Sequence, residues 1–249
     1  MGNHKFFSGQ NYGLCHCDLG QFSMTRRNVQ SSQGVTLIGA GRSSPSDIDL
    51  LLERAPVLIA ADGGANKCLE YGVSPVAVIG DFDSLTEEAR AAFTETRFLH
   101  VEEQDSTDFE KSLTHVEAPF ILATGFTGAR IDHTLATLSA LAQYNATPVV
   151  LLAHDDIVFH APPLLYLDLP VGTRVSLFPM SPLIGRSTGL KWSIDGLTLR
   201  PDGLVGTSNE ATGPIALNLE SSGCLIILPR EALALALDAL CGPALVSGG

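Results

Sequence analysis

Between residues 34 and 152 the chain repeats one unit: a short, almost wholly apolar run followed by a stretch with helical spacing. Apolar strands without polar alternation are buried on both faces, which means a parallel sheet covered by helices on each side. Val35 to Gly39, Val57 to Ala61, Val76 to Ile79, Arg97 to Val101, Phe120 to Ala123 and Val149 to Leu152 read as the strands. The helices between them carry their own start signals. Ser44-Pro45-Ser46-Asp47 supplies an N-cap, a proline at the first helical position and an acid at the third. Ser84 with Glu87, and Thr107 with Glu110, read as capping boxes, and Gly72 closes the helix from Ala65 to Tyr71. Phe109, Leu113 and Val116 form one face, and Leu135, Leu138 and Leu141 another.

After about residue 154 the helical period disappears. Tyr166 to Leu169, Arg174 to Phe178, Ile215 to Leu219 and Cys224 to Leu228 read as strands, with Asp195-Gly196 and Asp202-Gly203 as turns. The expected fold is therefore α/β: a doubly wound, mostly parallel sheet over 34–154, then a smaller all-β sandwich over 155–230. Residues 1–33 lack periodicity and read as a poorly ordered tail without a secretory pattern. Residues 231–249 form a C-terminal tail, helical over Glu231 to Leu240.

No run of about 18 apolar residues is present, so no membrane-spanning helix is expected. A formal net charge of −12 argues against a nucleic-acid binder and suits a chain whose acids hold a divalent cation. The five cysteines are scattered, which points to reduced thiols and a cytoplasmic protein. The cluster Cys15-His16-Cys17 has no second ligand pair at metal spacing.

The acids are unevenly placed. Asp62 to Asp132 holds 14 of the 27 acids against five Lys and Arg residues. Asp62 ends the second strand, Asp81 and Asp83 follow the third, Asp108 lies in the first turn of its helix and Asp132 opens another. All five fall at the carboxyl rim of the sheet, where doubly wound folds bind ligands. An acid at a helix N-terminus is also what the helix dipole favours, so each aspartate alone has a structural explanation. Crowded together they repel, and Mg²⁺ with phosphate oxygens is a natural compensator. If the chain stays extended after the third strand, Asp81 and Asp83 point one way and Phe82 points back to the sheet.

A second loop, Thr124-Gly125-Phe126-Thr127-Gly128-Ala129-Arg130, lets backbone N–H groups approach phosphates, and Lys111 and Arg130 are the cations best placed to hold them. It matches neither a P-loop nor a dinucleotide fingerprint. His133, in the first turn of the next helix, reads more readily as structural than as catalytic.

The runs Ala61-Asp62-Gly63-Gly64-Ala65-Asn66, Gly80-Asp81-Phe82-Asp83-Ser84, Gln104-Asp105-Ser106-Thr107-Asp108-Phe109-Glu110-Lys111 and Gly128-Ala129-Arg130-Ile131-Asp132-His133 together resemble the thiamine pyrophosphokinase family. Ser187-Thr188-Gly189-Leu190-Lys191-Trp192 and Thr207-Ser208-Asn209-Glu210 look like its two late motifs. The resemblance implies transfer of diphosphate from Mg²⁺-ATP to thiamine, in a homodimer whose thiamine lies between the α/β part of one subunit and the β part of the other. It implies that Asp81, Asp83 and Asp108 hold Mg²⁺, with Asp132 close by and Arg130 and Lys111 steadying the diphosphate. Asp62, Thr124, Gly125, Thr127 and Gly128 fall to the ATP side. Gln104, Trp192, Ser208 and Asn209 fall to thiamine, and Lys191 is expected on the strand face opposite Trp192. Ala129 departs from a frequent second glycine. The rival readings are a non-catalytic thiamine or nucleotide sensor, a related phosphotransferase acting on another alcohol, and a plain scaffold.

Overall fold

The computed structural model describes residues 29–103 and 105–242. The first half runs β1 (Val29–Gln30), β2 (Val35–Ile38), α1 (Pro45–Leu52), β3 (Val57–Ala61), α2 (Gly64–Tyr71), β4 (Ala77–Gly80) and α3 (Glu87–Ala92). It continues through β5 (Arg97–His100), α4 (Asp108–His115), β6 (Val116–Glu117), β7 (Ile121–Thr124), α5 (Ile131–Gln143) and β8 (Val149–Leu152). The second half holds β9 (Asp156–His160), β10 (Leu164–Leu167), β11 (Arg174–Pro179), β12 (Leu183–Leu190), β13 (Thr198–Leu199), β14 (Gly206–Leu219) and β15 (Cys224–Pro229). A 3₁₀ turn over Arg230–Ala232 then leads into α6 (Leu233–Cys241).

Strands β8, β7, β2, β3, β4 and β5 lie side by side in that order, all parallel. β2, β4, β7 and β8 are buried along their whole length, as their apolar text requires. Successive connections leave β2 toward β3 on one side and return at β7 on the other. The carboxyl ends of β2 and β7 therefore form the switch point of the sheet, where a crevice opens.

Near residue 154, where the helical pattern ends, the strand direction changes. β9 turns back antiparallel on β8, β15 pairs with β9, and β11 with β15. The ladder continues through β14 to β12 and β13, giving one 13-stranded sheet with β10 attached to β14. One half of the long β14 pairs with β11, the other with β10 and β12. Strands from both halves send side chains such as Leu122, Val150, Leu177 and Leu217 into one core, which α6 closes with Leu233, Ala236 and Leu237.

Four local expectations are corrected. Val29–Gln30, placed in a loose tail, forms a parallel ladder with β6; residues 1–28, with Cys15-His16-Cys17, lie outside the described residues. Thr86, not Ser84, caps α3, its hydroxyl accepting from the Ala89 N–H. Leu135 is exposed, because the first turns of α5 stand over the crevice instead of the sheet. The segment after β4 is not extended: Phe82 has φ 65°. Its ring turns aside against Phe98, His100 and Arg90. The Thr107–Glu110 capping box and the left-handed Gly72 cap form as read.

Candidate active site

A cavity of about 570 Å³ lies outside the carboxyl ends of β2, β3, β4 and β7. Asp62, Asp81, Asp83, Asp108, Lys111 and Arg130 all line it. They reach it from different elements: Asp62 from the end of β3, Asp81 and Asp83 from the loop after β4, Asp108 and Lys111 from the first turn of α4.

The loop after β4 is pinned from below. Asn66, in α2, donates from Nδ2 to the Ser84 carbonyl (2.8 Å) and accepts at Oδ1 from the Thr86 N–H (3.0 Å) and hydroxyl (2.9 Å). Asp62 Oδ2 accepts from the Ser84 N–H (3.2 Å), and Asp81 Oδ1 from the Asp83 N–H (3.3 Å). These bonds replace the extended path and still bring the acids together. Asp62, Asp81 and Asp83 each offer an oxygen within 4.8 Å of the others.

That trio differs from the one the resemblance implies, with Asp62 where Asp108 was expected. Asp108 is tied in through Lys111. The side chain of Lys111 is only 3% exposed; its ammonium donates to Asp81 Oδ2 at 2.8 Å and lies 3.6 Å from Asp108 Oδ1. Burial works to lower the lysine pKa, but the bond to Asp81 and the charge of Asp108 together raise it, so it stays charged. The same bond lowers the Asp81 pKa. Asp108 is pushed up, first by burial and then by the charge of Asp62.

Asp62 is the anomalous member. It is 1% exposed, sits at φ 42°, and its Oδ1 has no hydrogen-bond partner among the described residues. Burial raises its pKa despite the N–H groups of Gly63 and Ser84. An unpaired buried carboxylate oxygen is costly, and two further carboxylates beside it add repulsion. A set of hard oxygen donors with one orphaned atom fits a divalent cation such as Mg²⁺ and offers nothing to a thiophilic metal.

The opposite wall is glycine. Gly125 has φ 77°, and a Cβ there would stand 2.4 Å from the Gly39 carbonyl oxygen. The Gly41 N–H donates to the Gly125 carbonyl at 2.6 Å. The Gly39-Ala40-Gly41 loop after β2 thus packs backbone to backbone on the loop after β7. Sequence reading passed over it, although two glycines between a strand and a helix are a signal for close approach. Thr127 lines the cavity; Thr124 and Gly128 do not, Thr124 being buried in β7 with its carbonyl accepting from the Gly39 N–H. Arg130 and Asp132 are exposed and bonded to each other, Nε to Oδ1 at 3.1 Å. The guanidinium holds the Asp132 carboxyl down at about 2. Asp132 is thus paired with Arg130 and does not itself line the cavity. His133 lines the mouth.

Three of the residues assigned to thiamine, Trp192, Ser208 and Asn209, lie apart from this cavity. Gln104 falls outside the described residues. Trp192 is 56% exposed beyond β12 and Ser208 is exposed at φ 59°; neither lines the cavity of its own chain. Asn209 is buried, and its amide is committed to backbone: Nδ2 donates to the Trp192 carbonyl (2.7 Å) and Oδ1 accepts from the Trp192 N–H (3.1 Å) and the Glu210 N–H (2.9 Å). Lys191 is corrected as well. It does not take the face opposite Trp192; its ammonium sits 5.0 Å from the indole centroid.

Fold and site together define an α/β protein with a carboxylate-lined cavity at the carboxyl rim of its parallel strands, the place where such sheets bind ligands. The family model described as thiamin pyrophosphokinase, catalytic domain, matches residues 48–151, and that for the vitamin B1 binding domain matches residues 165–221. The chain is 29% identical over 210 residues to thiamin pyrophosphokinase 1 of Caenorhabditis elegans, covering 76% of this chain and 86% of that protein. Over 207 residues it is 27% identical to thiamine pyrophosphokinase 1 of Arabidopsis thaliana, covering 70% and 78%. The solved thiamin pyrophosphokinase from Candida albicans superposes with a TM-score of 0.69 at 18% identity, over 82% of this chain and 93% of that one, a likeness of fold. The chain belongs to the thiamin pyrophosphokinase family.

Proposed function

We propose that the protein transfers the terminal diphosphate of Mg²⁺-ATP to the primary alcohol of thiamine, releasing AMP. The observation that carries this reading is the site at the switch point: three carboxylates with converging oxygens, a buried Lys111 and a backbone glycine wall, in a chain that both family models match. The thiamine hydroxyl oxygen bonds to the β-phosphorus and gives up its proton to solvent, the bond from that phosphorus to the bridging oxygen of the α-phosphate breaks, and AMP leaves with the electron pair. Such transfers depend on positioning and charge neutralisation.

Asp62, Asp81 and Asp83 hold the cation in this reading, with Asp108 on the same cavity wall; Mg²⁺ supplies charge neutralisation for the phosphates. Lys111, fixed by Asp81 and Asp108, aims a permanent positive charge into the cavity. Arg130, exposed at its mouth, is free to exchange Asp132 for a phosphate oxygen. The N–H groups around Gly39-Ala40-Gly41 and Gly125 to Thr127 allow close approach of the triphosphate.

Residues 34–154 act as the ATP-binding unit and 155–230 as the thiamine-binding unit. Trp192 and Ser208 do not line their own chain's cavity, which favours a homodimer in which a second copy's β half faces it. Cys68, Cys224 and Cys241 are free thiols, in keeping with a cytoplasmic protein. Among the described residues no helix is long and apolar enough to cross a membrane.

Purified protein with Mg²⁺, ATP and thiamine tests the reading, with products resolved by chromatography. Thiamine diphosphate with AMP is expected. Thiamine monophosphate with ADP would show attack at the γ-phosphorus, and saturable thiamine binding without turnover would make the chain a sensor. Light scattering on the same sample tests the dimer.

A further inference from the structure

Trp192 is the chain's one tryptophan, and its surroundings are more elaborate than an exposed aromatic needs. Asn209 grips its backbone on both sides, through the Trp192 N–H and the Trp192 carbonyl. The neighbouring Lys191 places its ammonium 5.0 Å from the ring centroid, within the range of a cation–π contact. Lys191 is itself held. Its Nζ donates to Glu210 Oε2 at 3.2 Å, and its backbone N–H donates to the Glu210 carbonyl at 2.9 Å. The Glu210 N–H in turn donates to Asn209 Oδ1 at 2.9 Å. Trp192, Lys191, Asn209 and Glu210 thus form one closed set, with more than half of Trp192 still exposed.

We propose that Lys191 and Glu210 are positioning residues that make Trp192 a one-sided stacking platform for a single cationic heteroaromatic ring. The inference rests on thiamine as the acceptor and adds which face of the indole it uses. An indole ring has two electron-rich faces, and each attracts a cation. Lys191 occupies one and fixes the plane of the ring, so the thiazolium stacks on the other. Two cations across one ring repel. Glu210 offsets the lysine charge, which lets the second cation bind while the first still orients the ring.

The test uses the full-length protein, thiamine as titrant, Trp192 emission and equilibrium dialysis. Lys191→Met is expected to shift the emission maximum and weaken thiamine binding by about two- to fivefold, the range of an exposed cation–π contact. Lys191→Arg is expected to restore both. Glu210→Gln exposes the lysine charge. It is expected to weaken thiamine binding by a similar factor, by less as salt rises. Binding of an uncharged analogue lacking the thiazolium should be untouched. A purely structural role would weaken both ligands equally and without salt dependence, and that result overturns the proposal. So do variants that bind thiamine like the parent. If saturating thiamine leaves the parent's emission unchanged, both the platform and the placing of thiamine on Trp192 fall, while the product assay still judges the transfer reaction by itself.

Discussion

Two lysine–carboxylate pairs of similar length sit in the two halves of the sheet. Lys111 meets Asp81 at 2.8 Å with its side chain 3% exposed, whereas Lys191 meets Glu210 at 3.2 Å with its side chain 47% exposed. In the α/β half the pair is enclosed with Asp108 and beside Asp62, so its charges act through a medium that screens them poorly. The cavity holds an electrostatic imbalance: three acids within reach of one another, one buried oxygen without a partner among the described residues, and one ammonium. In the β half the same chemistry is half in water, where an ion pair contributes little to stability. There the pair orients a ring. The acidic cavity is prepared for charge, and the exposed platform is prepared for shape.

The sharpest way to break the contrast is to remove a cavity carboxylate. Asp81→Asn or Asp83→Asn should lower turnover by about 10³-fold, the scale of losing one preorganised electrostatic group. The far-ultraviolet circular dichroism should stay unchanged. A variant that keeps its rate would take that aspartate out of the site. Lys111→Met probes the same cavity through stability. Removing one partner of a buried pair strands the other, so the urea midpoint should fall by an amount equivalent to about 3 kcal/mol. The matching change outside, Lys191→Met, should leave the urea midpoint within about 0.5 kcal/mol of the parent. Equal losses in the two would erase the distinction between the halves.

Asn209→Ala sharpens the comparison from the other side. It removes three bonds to the backbone around Trp192 without touching the acidic cavity. The KM for thiamine should rise about tenfold, in line with buried polar groups left unpaired, while the KM for ATP stays put. Steady-state kinetics with each substrate varied in turn would separate the two.

Much of this was legible in the text of the chain, and the reasons differ by region. The parallel strands were readable because burial on both faces forbids polar alternation. The capping box at Thr107 was readable because its two residues satisfy each other locally. The second half was harder. β12 carries the polar, glycine-bearing text Leu183-Ile184-Gly185-Arg186-Ser187-Thr188-Gly189-Leu190, and pairing with β14, not propensity, makes it a strand. At the site, order along the chain showed which acids share a rim but not which converge. A positive φ at Phe82 and the staple from Asn66 decide that Asp62, not Asp108, completes the tight trio. Neither is visible as a pattern. The commitment of Asn209 to backbone was equally hidden, since a motif names a residue without saying what its amide touches.

The smallest effect expected is also the one with the most direct physical sign. Asp62 carries a raised pKa because burial disfavours its charged form. A carboxyl raised in the folded state lends stability that is fully present below its unfolded pKa and is lost as pH rises through the folded one. At neutral pH, without a divalent cation, the ionised Asp62 therefore opposes folding. Asp62→Asn has nearly the same shape, cannot ionise, and tolerates the left-handed backbone that Asp62 adopts. Its amide also gives the neighbouring Asp81 and Asp83 a donor. In a chelating buffer at pH 7 the variant should be more stable than the parent by about 1 kcal/mol. The gain should shrink as pH falls through the folded pKa of Asp62 and vanish below about 3.9, where the parent carboxyl is protonated in both states. Adding Mg²⁺ should reverse the ranking, because a ligand bound only by the folded state stabilises the parent and not a variant that has lost an oxygen anion. Thermal melts of both proteins across pH, with and without the cation, would decide it. A variant less stable than the parent at pH 7 in chelator would mean that the Asp62 carboxylate is satisfied in the cation-free fold, and the case for its orphaned oxygen as a cation ligand would fail with it.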